Sequence, residues 1–262
     1  MKNSSRGLRI IGIVFGVLVL AIVAGIVAFN IYTSNYYSSD RAVIDKIEKQ
    51  YSDSVDSFSN DKGSVFLPED MNPKAVIVFY PGGKVEYSAY NGLMYMLAAR
   101  GYICLLPKMP ENLAFLDIRA VESMSRNRQE DIERVRNLEW YLAGHSLGGV
   151  AACRYLNESS GSDIFNFDGI ILCASYTTSD FSDTDLRFLS IYGDRDKVLN
   201  MDSYDRSRNF WPTDAKEVVI DGGIHSYFGS YGIQNGDGEP ELTNEEQLQE
   251  TVDVIDSWIS EY

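Results

Sequence analysis

The chain has 262 residues, with 38 acidic against 23 basic side chains and a formal net charge of −15. That balance argues against nucleic acid as a partner and for a soluble head held off an anionic membrane. Once an apolar N-terminal segment is set aside, about 225 residues remain, enough for one domain with a full core and too few for a second of ordinary size.

Residues 10–29 are an unbroken apolar stretch of 20 residues, which at about 1.5 Å per residue matches the hydrocarbon thickness of a bilayer. The stretch exceeds the apolar core of a secretory signal and ends in no clean Ala-x-Ala site. An uncleaved signal anchor over residues 10–32 is therefore expected ahead of a cleaved, secreted form. Lys2, Arg6 and Arg9 precede the stretch, and the next charged residues are Asp40 and Arg41. The positive-inside rule then puts residues 1–9 in the cytoplasm and the remainder outside the cell, a single-pass membrane protein with an extracellular domain. Tyr32, Tyr36 and Tyr37 suit the outer interface. Gly12 and Gly16 form a G-x-x-x-G pair, a candidate contact for a weak homodimer. The Ser, Asn and Asp residues that follow read as a tether over 33–50, with the globular domain over 51–262.

Within that domain, the short apolar run 65–67 suits an antiparallel sheet edge. Residues 75–80, Ala-Val-Ile-Val-Phe-Tyr, form a strongly strand-like run, and Pro81-Gly82-Gly83-Lys84 follows directly. Helical patterns at 88–100, 113–128, 149–157, 202–210 and 244–260 alternate with strand-like runs at 102–106, 138–143, 169–174, 188–192 and 217–220. The alternation predicts the α/β class, a doubly wound, mostly parallel sheet. No internal repeat or low-complexity tract interrupts it.

The run 138–143 leads into Gly144-His-Ser-Leu-Gly-Gly149, the G-x-S-x-G pattern of a nucleophile elbow. On such a strand-to-helix turn the glycines permit a tight bend and close packing, so the Ser146 hydroxyl projects above the sheet. A serine hydroxyl is a poor nucleophile near pH 7 and needs a base, itself oriented by a third group. The chain holds two histidines. His145 adjoins Ser146, and adjacent side chains on such a turn diverge, which leaves His225 in the Gly222-Gly-Ile-His225 loop as the base. The run 188–192 ends in Gly193-Asp-Arg-Asp196, making Asp196 the first candidate for the orienting acid and Asp194 the second. Ser146, Asp196 and His225 stand in the Ser…Asp…His order expected of such a site.

Acyl transfer also requires donors for a developing oxyanion. The backbone N–H of Leu147, next after the serine, is one candidate. Gly83 supplies the other, with the Lys84 amide as the alternative. Lys84 and Glu86 lie beside this loop and are candidates to bind substrate or to pair with each other. Tyr80, Tyr176, Tyr227 and Phe228 are candidates to line an acyl or leaving-group pocket. Only residues 175–187 separate two of the strand-like runs, so no large cap fits there. The site should be open and suit a small or exposed acyl substrate.

These features together resemble a small α/β-hydrolase of the dienelactone-hydrolase-like group. More narrowly, Tyr80-Pro-Gly-Gly-Lys-Val-Glu86, the stretch 107–113, and Gly222-Gly-Ile-His-Ser-Tyr-Phe-Gly-Ser-Tyr-Gly232 followed by Gly236-Asp-Gly238 are similar to a bacterial family of uncharacterised α/β-hydrolases, membrane-anchored or exported. The resemblance runs from about residue 75 to the C-terminus. It implies the α/β-hydrolase fold, with the matching Ser146, Asp196 and His225 as triad. The family usually carries Asn where this chain has Ile224. The reaction expected is hydrolysis of a carboxylic ester or thioester through an acyl-enzyme; an acyltransferase, a peptidase and an inactive anchored binding domain are the rivals. No cofactor and no metal are expected. The carboxylates of Asp237, Glu239 and Glu241 read as a solvated loop without EF-hand spacing. Cys104, Cys153 and Cys173 fall in apolar runs, as small core residues outside any disulfide.

Overall fold

The computed structural model describes residues 2–69, 71–125, 129–159 and 165–261. It divides into two compact units, Met1–Tyr36 and Tyr37–Tyr262. The first is a single helix, α1 (Lys2–Ser34), in which Gly12–Ser34 is long and apolar enough to cross a membrane. Consecutive side chains such as Ile13, Val14 and Phe15 are all exposed, so the helix is apolar all round, as a span facing lipid should be.

The second unit is built on an eight-stranded sheet in the order β1-β2-β4-β3-β5-β6-β7-β8. The strands are β1 (Val55–Asn60), β2 (Gly63–Pro68), β3 (Ala75–Tyr80), β4 (Tyr102–Pro107), β5 (Glu139–His145), β6 (Gly169–Cys173), β7 (Arg187–Gly193) and β8 (Lys216–Ile220). From β4 through β3 to β8 every pairing is parallel. At the other edge β1 and β2 form an antiparallel hairpin, and β2 pairs antiparallel with β4. The expected strand at 65–67 is thus real. Its partner β1 escaped the sequence pattern because Val55-Asp-Ser-Phe-Ser-Asn is largely polar and mostly unburied.

Helices cover both faces. Strand β3 shows why, since all six of its residues are buried and alternate side chains enter opposite cores. Ala75, Ile77 and Phe79 pack with α3 (Asn91–Ala99) and α8 (Asn244–Ser260), whereas Val76, Val78 and Tyr80 pack with α4 (Ala120–Ser125) and α6 (Leu147–Ser159). A capping box fixes the start of α8, with the Thr243 side chain and Glu246 bonding each other's backbone. Helix α7 (Met201–Ser207) lies between β7 and β8. Between β6 and β7 only residues 174–186 intervene, so no large cap is inserted there. Cys104, Cys153 and Cys173 are buried and unpaired, and burial raises all three thiol pKa values, those of Cys153 and Cys173 to about 12.

Two expectations need correction. The tether over 33–50 is not a loose connector. Tyr37 already pairs with Val85 of the globular unit, and α2 (Arg41–Tyr51) buries Ile44 and Ile47. Asp40 caps α2 by accepting from the Ala42 and Val43 amides, and the Val43, Ile44, Ile47 spacing gives the helix an apolar stripe against the core. The domain therefore begins at Tyr37 rather than 51. The helix expected over 113–128 is also broken. Residues 110–112 and 114–116 form 3₁₀ turns before α4 starts at Ala120, Glu111 and Asn112 have positive φ, and Phe115 and Leu116 are exposed. Residues 126–128 lie outside the described residues, and α5 (Gln129–Val135) follows.

Candidate active site

Strand β5 ends at His145 and α6 begins at Leu147, so Ser146 alone makes the turn. It does so at φ 52°, a left-handed conformation that costs a residue with a side chain about 1–3 kcal/mol. Local hydrogen bonds hold it there. The Ser146 N–H donates to the Cys173 carbonyl (3.0 Å), and its own carbonyl accepts from the Gly149 amide (3.0 Å) and the Ser175 hydroxyl (2.7 Å). Glycines flank it because backbones touch. A Cβ on Gly144 would lie 2.6 Å from the Gly149 nitrogen, and one on Gly148 only 2.2 Å from the Tyr80 carbonyl oxygen.

Ser146 and His225 line one cavity of about 140 Å³, together with Leu147, Val150, Ala174, Ser175, Tyr176, Val198, Leu199 and Asn200. A larger apolar cavity of about 390 Å³ lies against β1, β2 and α4, lined by residues such as Phe58, Val65, Met124 and Trp140. Among the described residues that lining holds no histidine, cysteine or carboxylate, so the larger volume is not where the candidate catalytic side chains lie.

The His225 ring is 2 % exposed, and its Nδ1 lies 2.8 Å from Asp196 Oδ2. The other carboxylate oxygen, Oδ1, accepts from the Val198 and Leu199 amides, both at 2.8 Å. Asp196 is thus fixed at both oxygens. Asp194, the second candidate, instead accepts from the Gly222 amide at 2.7 Å and shapes the turn before the histidine. The His225 loop is held by two side chains that the sequence did not single out in this role. Asp237 accepts from the His225 amide (3.3 Å), the Ser226 amide (2.8 Å) and the Ser226 hydroxyl. Gln247, fully buried on α8, accepts from the Ile224 amide (2.9 Å) and donates to its carbonyl (2.7 Å). Ile224 itself is fully buried, so the apolar residue at this position is accommodated by the core.

His145 is not among the residues lining the cavity of Ser146, but it lies close to His225. Its ring lies 4.6 Å from that of His225 by centroid, and its Nδ1 is 2.8 Å from the Tyr90 hydroxyl. Complete burial and the neighbouring His225 drive its pKa well below the ordinary histidine value, so it is neutral at pH 7. The same Tyr90 oxygen accepts from the Gly82 amide at 3.0 Å. A Cβ on Gly82 would come within 2.8 Å of both partners, which explains the glycine.

In the loop after β3, Gly83 faces Leu147, whose Cδ1 would lie 2.6 Å from a Cβ on Gly83. The Lys84 N–H donates to the Asn112 carbonyl at 2.8 Å, which removes it as the alternative oxyanion donor. Among the described residues the Gly83 N–H has no hydrogen-bond acceptor. Leu147 is the first residue of α6, where a helical N–H lacks an intrahelical acceptor and the helix dipole is positive. Among the described residues both amides thus lack a hydrogen-bond acceptor, and Gly83 packs against the Leu147 side chain.

The remaining candidates divide. Tyr176 lines the cavity and Tyr227 does not. Tyr80 is buried and donates to the Ile118 carbonyl at 2.6 Å; Phe228 is buried and packs on His145. Glu86 is occupied elsewhere: its Oε2 accepts from the Ser39 amide (2.9 Å) and hydroxyl (3.0 Å). Burial pushes its pKa up, but the hydrogen bonds from the Ser39 amide and hydroxyl, helped by the Arg41 charge, outweigh that and leave it below the usual carboxylate range. The apolar wall from Val198 and Leu199 was not foreseen, and a two-residue apolar step after Asp196 was its only trace. Among the described residues, no group of three or more His, Cys, Asp or Glu side chains is arranged to hold a metal ion.

Comparison with protein-family models matches residues 76–249, more than half of the chain, to the model described as "Alpha/beta hydrolase family". A search of curated proteins finds no match to the chain.

Proposed function

Because the chain belongs to the alpha/beta hydrolase family, we propose that it is a serine hydrolase that cleaves a carboxylic ester or thioester through an acyl-enzyme at Ser146. The observation that carries this reading is the His225–Asp196 hydrogen bond beside a cavity that Ser146 and His225 share. In the proposed reaction His225 Nε2 takes the proton of Ser146 as Oγ attacks the carbonyl. Asp196 keeps the Nδ1 proton in place and stabilises the imidazolium. The Gly83 and Leu147 amides receive the oxyanion. The imidazolium then protonates the leaving alcohol or thiol, and water, deprotonated by the same base, releases the acid.

The cavity bears on the acyl group. At about 140 Å³ it falls below the roughly 300–1,000 Å³ of pockets that enclose drug-sized ligands, and Val150, Val198 and Leu199 form an apolar part of a wall that Ser175 and Asn200 complete with polar groups. A short acyl chain fits that wall, with the leaving group toward solvent. The loops around Gly83 and His225 and the lack of an insert between β6 and β7 support placement in the dienelactone-hydrolase-like group. Helix α1 supports a single-pass anchor, and Lys2, Arg6 and Arg9 before it support an N-terminus in the cytoplasm with the hydrolase outside. The test is turnover of p-nitrophenyl esters by the full chain in detergent. Activity should fall with acyl length and vanish in Ser146→Ala; a Ser146→Ala protein as active as the parent would end the assignment.

A further inference from the structure

Residues 37–40 connect the two loops on which the proposed chemistry depends, although these are about 140 residues apart in sequence. On one side, the Tyr37 amide donates to the Lys84 carbonyl (2.8 Å) and the Tyr37 carbonyl accepts from the Glu86 amide (2.9 Å). Ser39 completes this side through its two bonds to the Glu86 carboxylate. On the other side, the Asp40 amide donates to the Ser230 carbonyl (2.7 Å), and the Tyr37 hydroxyl accepts from the Asn235 amide (3.0 Å). The Tyr37 and Tyr231 rings lie 5.7 Å apart. Lys84 is therefore gripped at both ends of its backbone, by Asn112 at the N–H and by Tyr37 at the carbonyl, one residue from Gly83.

We propose that residues 37–40 are a strap that sets the distance between the oxyanion loop and the histidine loop, with Glu86 and Tyr37 as positioning residues. The proposal rests on the serine-hydrolase reading for its effect on turnover, but not for its effect on the loops. An oxyanion donor acts only within a narrow distance of the reacting oxygen, and a displacement of about 1 Å can cost up to about a hundredfold in rate. Weakening the strap should therefore lower kcat and leave KM nearly unchanged, since no strap residue lines the cavity.

The test uses the full chain in detergent with p-nitrophenyl acetate, alongside hydrogen–deuterium exchange of the segments 82–86 and 225–235. Glu86→Ala removes the acceptor for Ser39; Glu86→Gln keeps an acceptor oxygen. Tyr37→Phe removes one hydroxyl. Lys46→Ala is the control, because it breaks the exposed Lys46–Glu245 ion pair between α2 and α8 without touching the strap. Expected are a fall in kcat of about tenfold or more for Glu86→Ala, recovery of most of it in Glu86→Gln, a smaller fall for Tyr37→Phe, and no change for Lys46→Ala. Exchange in both segments should rise at least about tenfold in Glu86→Ala. If Glu86→Ala does not fold, Tyr37→Phe carries both measurements. Unchanged exchange in the histidine segment, or a kcat for Glu86→Ala equal to that of Lys46→Ala, overturns the strap. A parent without serine-dependent turnover overturns the hydrolase reading instead, and the exchange result alone then decides the strap.

Discussion

Asp196→Asn is close to isosteric, and the structure dictates how the new amide must sit. Asp196 Oδ1 accepts two backbone N–H groups, from Val198 and Leu199, at 2.8 Å each. Only the amide oxygen of the asparagine can take that place, because an NH₂ there would face two donors. The NH₂ must then occupy the Oδ2 position, 2.8 Å from His225 Nδ1, where it donates to the ring. His225 is thereby forced to carry its proton on Nε2, the nitrogen that has to receive the Ser146 proton. The same inversion of tautomer in the serine-protease triad costs about 10⁴ in kcat, which the handful of shared groups here should reproduce, about 5.4 kcal/mol of transition-state stabilisation. Stability should barely move, since both backbone bonds survive. The assay is kcat for a short-chain p-nitrophenyl ester at pH 7 with the full chain in detergent, beside a thermal melt. A kcat within about tenfold of the parent, with the fold intact, would refute the role given to Asp196.

Tyr90→Phe removes the hydroxyl that accepts from the Gly82 amide and contacts His145; kcat should fall about tenfold with KM little changed, and steady-state kinetics would detect it. Asp237→Ala strips three hydrogen bonds from His225 and Ser226 and should destabilise the chain by about 2–3 kcal/mol, read as a lower melting temperature; an unchanged melt would show that the loop holds without it. Gly148→Ala puts a Cβ 2.2 Å and 2.3 Å from the Tyr80 and Pro81 carbonyl oxygens, backbone that cannot yield, and should cost about 3 kcal/mol or more, seen as loss of soluble, folded protein. Glu86 has a depressed folded-state pKa, so its contribution to stability is complete above the usual carboxylate range and is lost as pH falls through the depressed value. Melting curves against pH should show Glu86→Gln losing less stability than the parent in that acid window, and parallel curves would contradict it.

The legible parts of this chain are those where one residue type is forced by local geometry. Strand β3 announces itself because both of its faces are buried, and the elbow because Gly144 and Gly148 meet backbone that leaves no room for a Cβ. His225 and Asp196 follow from the scarcity of histidine and from chain order. What stayed hidden depends on partners distant in sequence. Glu86 sits beside the oxyanion loop and reads as a substrate contact, yet its partner Ser39 lies 47 residues earlier. Asp237 reads as one carboxylate in an acidic loop until the fold brings it beneath Ser226, and Gln247 as a polar position on an acidic helix until it is found sealed against Ile224. The stretch 33–50 shows composition failing in another way. Its Ser, Asn and Asp content suggested a connector, while the spacing of Ile44 and Ile47 carried the helix that packs.

The proposed chemistry requires Ser146 to be an activated nucleophile. A fluorophosphonate probe applied to the folded full chain, with the adduct located by tandem mass spectrometry, addresses this directly. A single adduct on Ser146 that disappears in His225→Ala is the predicted result; a folded chain that stays unlabelled, or carries the adduct on another serine, would contradict it.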